Sequence, residues 1–189
     1  MIKSEIDELE VFALDFRERG LSYGYLPTNI ETNSYEIKGI TGITWYRHGQ
    51  FQVEMFIVPP NRVIPEHSHP NVSSYEMYLG GDIAFSRSGK WIVEEDLIRV
   101  PNSTDNRGAL IKVKTTDMHG GSFGPRGGVF MSIQKWAEGV EPHSVALDYI
   151  GVVLDENHAS RVKLGEAELK TEITWKDSAT LEETEPTYI

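Results

Sequence analysis

Two histidines one residue apart are the most chemically informative feature of this chain. His67 and His69 lie within residues 65–70, and Glu76 and His119 follow later in the sequence. On an extended strand, alternate side chains point to the same face, so the two imidazoles project side by side. Imidazole and carboxylate are ligands that suit Fe, Zn, Ni, Mn or Cu. The spacing predicts a metal site completed by Glu76 and His119; the alternative is a pair of solvated surface histidines.

Composition restricts the classes of function. The chain has 189 residues, of which 39% are hydrophobic, and no cysteine, so thiolate ligands, disulfides and cysteine nucleophiles are excluded. The net charge of -11 leaves no basic face for a phosphate backbone, so we expect no nucleic-acid partner. The acidic start of the chain is unlike a secretory signal, and no segment approaches a membrane-spanning length. We therefore expect a cytoplasmic protein that does not bind membranes.

The first 20 residues have the pattern of one amphipathic helix. Ser4 and Asp7 resemble a capping box, apolar residues recur at helical spacing over residues 5–19, and Gly20 is a typical stop. The apolar stripe of this helix should pack on the body of the fold or on a second subunit. We predict an N-terminal helix over residues 1–20, a β-barrel over 21–157 and a polar C-terminal extension over 158–189, within a single structural domain.

The middle of the chain has the pattern of an all-β domain, because short β-branched and aromatic runs alternate with Gly, Pro, Asn and Asp. The predicted strands are 35–40, 44–47, 52–58, 63–69, 75–79, 83–86, 91–93, 110–114 and 129–136. The glycine-dense stretch at 120–128 lacks a phosphate-loop ending, so we predict a long loop over the barrel mouth. In the tail, residues 169–175 could form an edge strand, and residues 182–189 should be poorly ordered.

These residues together resemble the cupin superfamily. Its first motif runs Gly, five residues, His-x-His, three or four residues, Glu, six residues, Gly. Asn61 stands six positions before His67, where the first Gly would be, and Asn is a good substitute for Gly in a left-handed turn. His67, His69 and Glu76 fall on the ligand positions, although six residues separate His69 from Glu76 and the following Gly80 and Gly81 come earlier than the motif's last Gly. His119 follows a strand as in the second motif. That second motif is looser here, since Lys114 and Thr116 replace its usual Pro and Gly.

The resemblance implies a jelly-roll β-barrel, often a homodimer, that holds one divalent metal ion with His67, His69, Glu76 and His119. Such a centre leaves two positions open for a small-molecule substrate, or for substrate and dioxygen together. By analogy we expect an enzyme that acts on a small polar molecule, with Fe as the preferred metal and dioxygenase chemistry favoured. A metal-dependent sugar isomerase or lyase, or a non-catalytic ligand-binding barrel, are the alternatives.

Strand alternation suggests which polar residues accompany the metal. Tyr78 shares the face of Glu76, so it could donate a proton or a hydrogen bond, and Gln134 would be an unusual buried residue unless it is paired. We predict Tyr78 and Gln134 as catalytic residues; their alternative role is to fill the barrel. Gln52 or Glu54 should also point inward, and Asp117 either orients an imidazole or forms a turn.

Overall fold

A computed structural model describes residues 7–22, 33–37, 39–143, 145 and 187–188, with side chains for 7–19, 39–143 and 145. The described part consists mainly of strands preceded by one helix. The elements are α1 (Glu8–Ser22), β1 (Asn33–Ile37), β2 (Ile40–His48), β3 (Phe51–Val58), β4 (Arg62–His67), β5 (Val72–Arg87), β6 (Lys90–Trp91), β7 (Leu110–Val113), β8 (His119–Trp136) and β9 (Thr187–Tyr188), with a short 3-10 helix at Glu94–Asp96.

The helix α1 begins after a capping aspartate. The Asp7 carboxylate accepts hydrogen bonds from the backbone N–H groups of Leu9 and Glu10 at 3.2 and 3.3 Å, which satisfies donors that the first turn leaves open. Leu9, Ala13 and Phe16 are buried, as their spacing predicted. The predicted end at Gly20 is wrong, because α1 continues to Ser22. Ser4 lies outside the described residues.

Two long strands build the barrel, because β5 and β8 each pass from one sheet to the other. The second half of β8 lies between β3 and the first half of β5, and β7, β2 and β1 extend this first sheet. The first half of β8 lies between β4 and the second half of β5, with β6 beyond. Bulges follow Tyr78 and Gly81 where β5 changes sheet. The chain therefore has a jelly-roll fold, as predicted.

The glycine-dense stretch is part of β8, so the predicted loop over the barrel mouth is wrong. Neighbouring residues approach Gly120, Gly127 and Gly128 too closely for a side chain. A Cβ at Gly120 would lie 2.5 Å from the Ile64 carbonyl oxygen, and one at Gly128 would lie 2.4 Å from Ile83 Cγ1. Glycine here permits close strand contact rather than loop flexibility.

The core has an outer and an inner part. Leu9, Ala13 and Phe16 of α1 pack with Tyr75, Met77 and Ile133 outside the first sheet, whereas Phe56, Phe123, Phe130 and Trp136 belong to a second buried cluster. Among the described residues, no helix is long and apolar enough to cross a bilayer.

Of the residues after 145, the structure describes only 187 and 188, so most predictions for the C-terminal part are not tested. Residues 169–175, the predicted edge strand, lie outside the described residues, as does most of the predicted extension. Thr187 and Tyr188 pair in parallel with Arg62 and Val63 of β4. The other residues of 182–189, predicted to be poorly ordered, lie outside the described residues. The predicted boundaries at 157 and 158 stay predictions.

Candidate metal centre

The structure brings His67, His69 and His119 together, and we call these three residues the histidine cluster. His67 at the end of β4 is the direct cross-strand partner of His119 at the start of β8, and His69 follows two residues later. The ring centroids are 4.5 to 5.4 Å apart. One potential ligand atom from each ring lies within 4.8 Å of the others. Three imidazoles from two segments thus form a group that could hold a metal ion.

Backbone carbonyls orient two of the rings. His67 Nδ1 lies 2.8 Å from the Pro65 carbonyl oxygen, and His119 Nδ1 lies 3.1 Å from that of Asp117. A carbonyl only accepts, so Nδ1 carries the proton in both rings and Nε2 carries the lone pair that a metal requires. The Asp117 carboxylate instead accepts from the Lys114 backbone N–H at 3.0 Å. The side chain of Asp117 therefore has the turn-forming role, and its main chain orients the imidazole.

The electrostatics of the cluster favour ligand-competent imidazoles. Burial lowers the pKa of His69 to about 3, with a further contribution from His119. Burial also lowers the pKa of His119. Both rings are therefore neutral at pH 7, the form that binds metals. His69 Nδ1 is buried without a hydrogen-bond partner, an arrangement that a metal ion or a bound molecule would relieve.

Glu76 lies in the same cavity but outside the histidine cluster. Its Oε1 accepts hydrogen bonds from the hydroxyls of Ser74 and Ser132, at 2.6 and 2.9 Å. The potential ligand atoms that lie together are those of the three histidines. Burial raises the pKa of Glu76 to about 7, although the two serine hydrogen bonds act in the opposite direction. The carboxyl is therefore a proton donor or acceptor near neutral pH, and its role as a fourth ligand stays a prediction.

The two predicted catalytic residues do not line this cavity. The Tyr78 hydroxyl donates to the Gly81 carbonyl oxygen at 2.8 Å, at the bulge where β5 changes sheet. Gln134 is fully buried and donates to Glu54 Oε2 at 3.1 Å. Its Oε1 accepts from Gln52 Nε2 at 2.9 Å and from Trp136 Nε1 at 3.1 Å. Gln52, Glu54 and Gln134 point inward, as strand alternation suggested. They hydrogen-bond to one another and do not line the cavity. We call these three residues the glutamine network.

The cavity has a volume of about 100 Å³, and the histidine cluster and Glu76 both line it. Of 19 lining residues, ten are apolar, two are glycines and seven are polar. The polar members that sequence reasoning missed are Ser74, Ser86 and Ser132. Ser74 could have been found by alternation with Glu76, and Ser132 faces Glu76 across the β5–β8 ladder. The pairing of those strands was not visible in the sequence.

Among known proteins, this chain is similar to solved structures only in its fold. No family model matches the chain, and no curated protein matches it. The structure is similar to KdgF from Halomonas sp., at 9% identity over 60% of this chain and 96% of that one, with a TM-score of 0.48. It is also similar to an RmlC-like cupin from Shewanella frigidimarina, at 14% identity over 61% and 93%, with a TM-score of 0.46. The Cnp3 cupin domain of Schizosaccharomyces pombe is 8% identical over 64% and 75%, with a TM-score of 0.44.

The strand pairing itself supports the resemblance that the first motif carries. Asn61, at the position of the motif's first Gly, has a φ of 55°, the left-handed conformation that this position favours. β4 ends at His67, the first histidine of the His-x-His pair, and His119 of the second segment pairs with it across the ladder. The chain therefore has a jelly-roll fold, and three of its histidines could hold a metal ion.

Proposed function

We propose that this protein is a mononuclear divalent-metal enzyme of the cupin type that acts on a small organic molecule. The observation that carries the proposal is the histidine cluster, in which two of the three rings have a defined tautomer. The cluster borders a cavity with room for a ligand. Predictions of a homodimer, of no nucleic-acid partner and of a cytoplasmic location stay predictions.

The chain's own residues would contribute binding, orientation and proton transfer. A divalent ion on these histidines would polarise an oxygen of the bound molecule or permit its reaction with dioxygen. The carbonyls of Pro65 and Asp117 hold the two rings in place. The ten apolar lining residues would lower the local dielectric, which strengthens electrostatic interactions in the cavity. The Glu76 carboxyl can hold or accept a proton at neutral pH, with Ser74 and Ser132 as donors to it.

Among reaction classes we propose dioxygenase chemistry with Fe(II) first. Three histidine ligands leave positions for a substrate and for dioxygen on the same ion. A second class, isomerase or lyase chemistry, is favoured by one specific observation: Glu76 is a buried carboxyl with a pKa near 7 in the same cavity. Such a group suits abstraction of a proton next to a carbonyl.

Metal content tests the proposal directly. Protein purified without chelator from iron-, zinc- and manganese-supplemented cultures should contain about one equivalent of metal per chain by elemental analysis. His67→Ala should lose it, because the cluster loses a ligand. His48→Ala is the matched control, since His48 is exposed at the end of β2. Equal metal content in the wild type and His67→Ala, or none in the wild type, would refute the proposed centre.

Oxygen dependence separates the two reaction classes. Fe(II)-loaded protein would be incubated with a panel of small hydroxy and oxo acids in an oxygen electrode, and in parallel under nitrogen. Oxygen consumption that His67→Ala abolishes would support the dioxygenase. Product formation under nitrogen that Glu76→Gln abolishes would support the isomerase or lyase instead. Binding without turnover in either atmosphere would favour the non-catalytic alternative.

A further inference from the structure

Phenylalanines form one wall of the cavity. The ring of Phe130 stacks on that of Phe56 with centroids 5.2 Å apart, and meets the ring of Phe85 edge-on at 5.4 Å. Phe123 stacks on Phe130 at 6.2 Å. All four residues line the cavity. This wall is apolar and offers aromatic faces and edges to a flat or branched hydrocarbon group.

The aromatic wall and the histidine cluster are joined along one strand. His119 and Phe123 lie four positions apart on β8, a distance of about 13 Å at the rise of an extended strand. Gly121 lies between them, lines the cavity and adds no side chain to it. Its backbone is not in the left-handed region, and a Cβ there would be 3.4 Å from the nearest atom, Phe123 Cε2. Gly121 therefore keeps space open between the imidazoles and the phenyl rings.

The cavity lining contains few polar atoms that lack a hydrogen-bond partner. Four buried side-chain nitrogen or oxygen atoms among the described residues have no hydrogen-bond partner, and two of them, His69 Nδ1 and Ser86 Oγ, belong to cavity-lining residues. Ser86 is 5% exposed. Lysine and arginine are missing from the cavity's 19 lining residues. A ligand with many hydroxyls would thus find few partners here, whereas a ligand with one polar head would find enough.

We propose, on the basis of the metal centre proposed above, that the ligand is a small amphipathic molecule. Its oxygen-bearing head would lie at the histidine cluster and its aryl or branched alkyl body would lie beyond Gly121 against Phe56, Phe85, Phe123 and Phe130. The cavity, of about 100 Å³ and partly open to solvent, limits the body to one ring or a short branched chain, since an apolar cavity of roughly 150 Å³ holds a single benzene. This ligand class differs from the small polar molecule that the sequence suggested.

Three acids with the same head and different bodies test this class. Mandelate, lactate and gluconate share the 2-hydroxy acid group but carry a phenyl, a methyl and a polyhydroxy body. Isothermal titration into Co²⁺-loaded protein should give mandelate at least tenfold tighter binding than lactate, and gluconate no tighter than lactate, because the phenyl group buries the most apolar surface and the polyhydroxy body buries little. Gluconate binding as tightly as mandelate, or no binding by any of the three, would overturn the proposal.

Matched glycine variants locate the body of the ligand. Gly121→Val should weaken mandelate binding at least tenfold and leave lactate and Co²⁺ binding within twofold of wild type, because the added side chain occupies the space before Phe123. Gly80→Val is the control, since a Cβ there meets nothing within 4 Å. Equal effects of the two variants on mandelate, or unchanged mandelate binding by a folded Gly121→Val protein, would contradict the placement.

A metal-free arm separates this inference from the proposed function. Benzyl alcohol, titrated into protein stripped with chelator, probes the aromatic wall alone. Binding that Gly121→Val abolishes would support the apolar subsite even if the wild type takes up no cobalt, which would refute only the metal centre. Absence of benzyl alcohol binding in protein that does take up cobalt would overturn the subsite and leave the metal centre standing.

Discussion

The barrel interior contains two buried polar groups of residues that differ in how they are satisfied. In the glutamine network, Gln52, Glu54 and Gln134 are fully buried and exchange hydrogen bonds with one another. The network also binds the segment after β8, since Gln52 donates to the His143 carbonyl at 2.6 Å and Glu54 accepts from the Val145 N–H at 3.2 Å. In the histidine cluster, by contrast, His69 Nδ1 has no partner.

This is the difference expected between a polar group that holds the fold together and one that binds a ligand. A fully satisfied buried network holds strands and a following segment in one arrangement, and removing one member leaves the others unpaired. A cluster that has an unsatisfied atom at a cavity contributes little to folding stability, and that atom is available to bind a ligand. Burial by itself did not distinguish them, because His67 and His69 are nearly as buried as Gln134. The hydrogen-bond partners did.

The largest loss of stability is expected from a substitution in the glutamine network. Glu54→Leu removes the acceptor of both Gln134 Nε2 and the Val145 N–H, so we expect the free energy of unfolding to fall by about 4 kcal/mol. Urea denaturation measures this. Glu54→Gln keeps an acceptor oxygen and should lose less, and both variants should keep their metal. A metal loss in folded Glu54→Leu protein would break the distinction between the two groups.

An intermediate effect, dependent on pH, is expected at Glu76. Its folded-state pKa is raised from 4.5 to about 7, so the folded state holds the proton more tightly than the unfolded state. Its stabilising contribution is present below pH 4.5 and is lost as the pH rises through 7. Glu76→Gln removes this dependence. In metal-free protein, the free energy of unfolding of the variant relative to that of the wild type should therefore rise by up to about 3 kcal/mol between pH 4.5 and 8.

Urea denaturation at both pH values, with chelator present, measures the Glu76 effect. The control is Glu95→Gln, because Glu95 is exposed in the 3-10 helix. A change in Glu76→Gln that matches that in Glu95→Gln would show that the buried carboxyl does not titrate as described.

The smallest effect is expected at Ser86. Its buried hydroxyl has no partner, so Ser86→Ala should leave the unfolding free energy of the metal-free protein unchanged or raise it by up to about 1 kcal/mol. Ser132→Ala is the comparison, since it removes a hydrogen bond to Glu76 and should lower that free energy by about 1 kcal/mol. Thermal unfolding resolves both. A clear loss of stability in Ser86→Ala would assign that hydroxyl to the structural group.

The local sequence pattern predicted most of the strands, because β-branched residues and the alternation of apolar and polar positions are visible within each short run. It failed at the glycine-dense stretch, where the preference of glycine for loops was outweighed by close contacts from two neighbouring strands. It also treated residues 75–79 and 83–86 as two strands, whereas β5 runs through both with bulges between them. Contacts between strands distant in sequence decide such cases, and a single sequence does not show them.

The sequence by itself determined the all-β class, the amphipathic helix and the three histidines, because residue type and short-range spacing fix which side chains can share a face. Only the tertiary structure decided which polar side chains border the cavity. It paired His67 with His119, surrounded Glu76 with serine hydroxyls, and placed Tyr78 and Gln134 outside the cavity lining. The reason is physical: a buried polar group is defined by its partners, and those partners come from strands far apart in the chain.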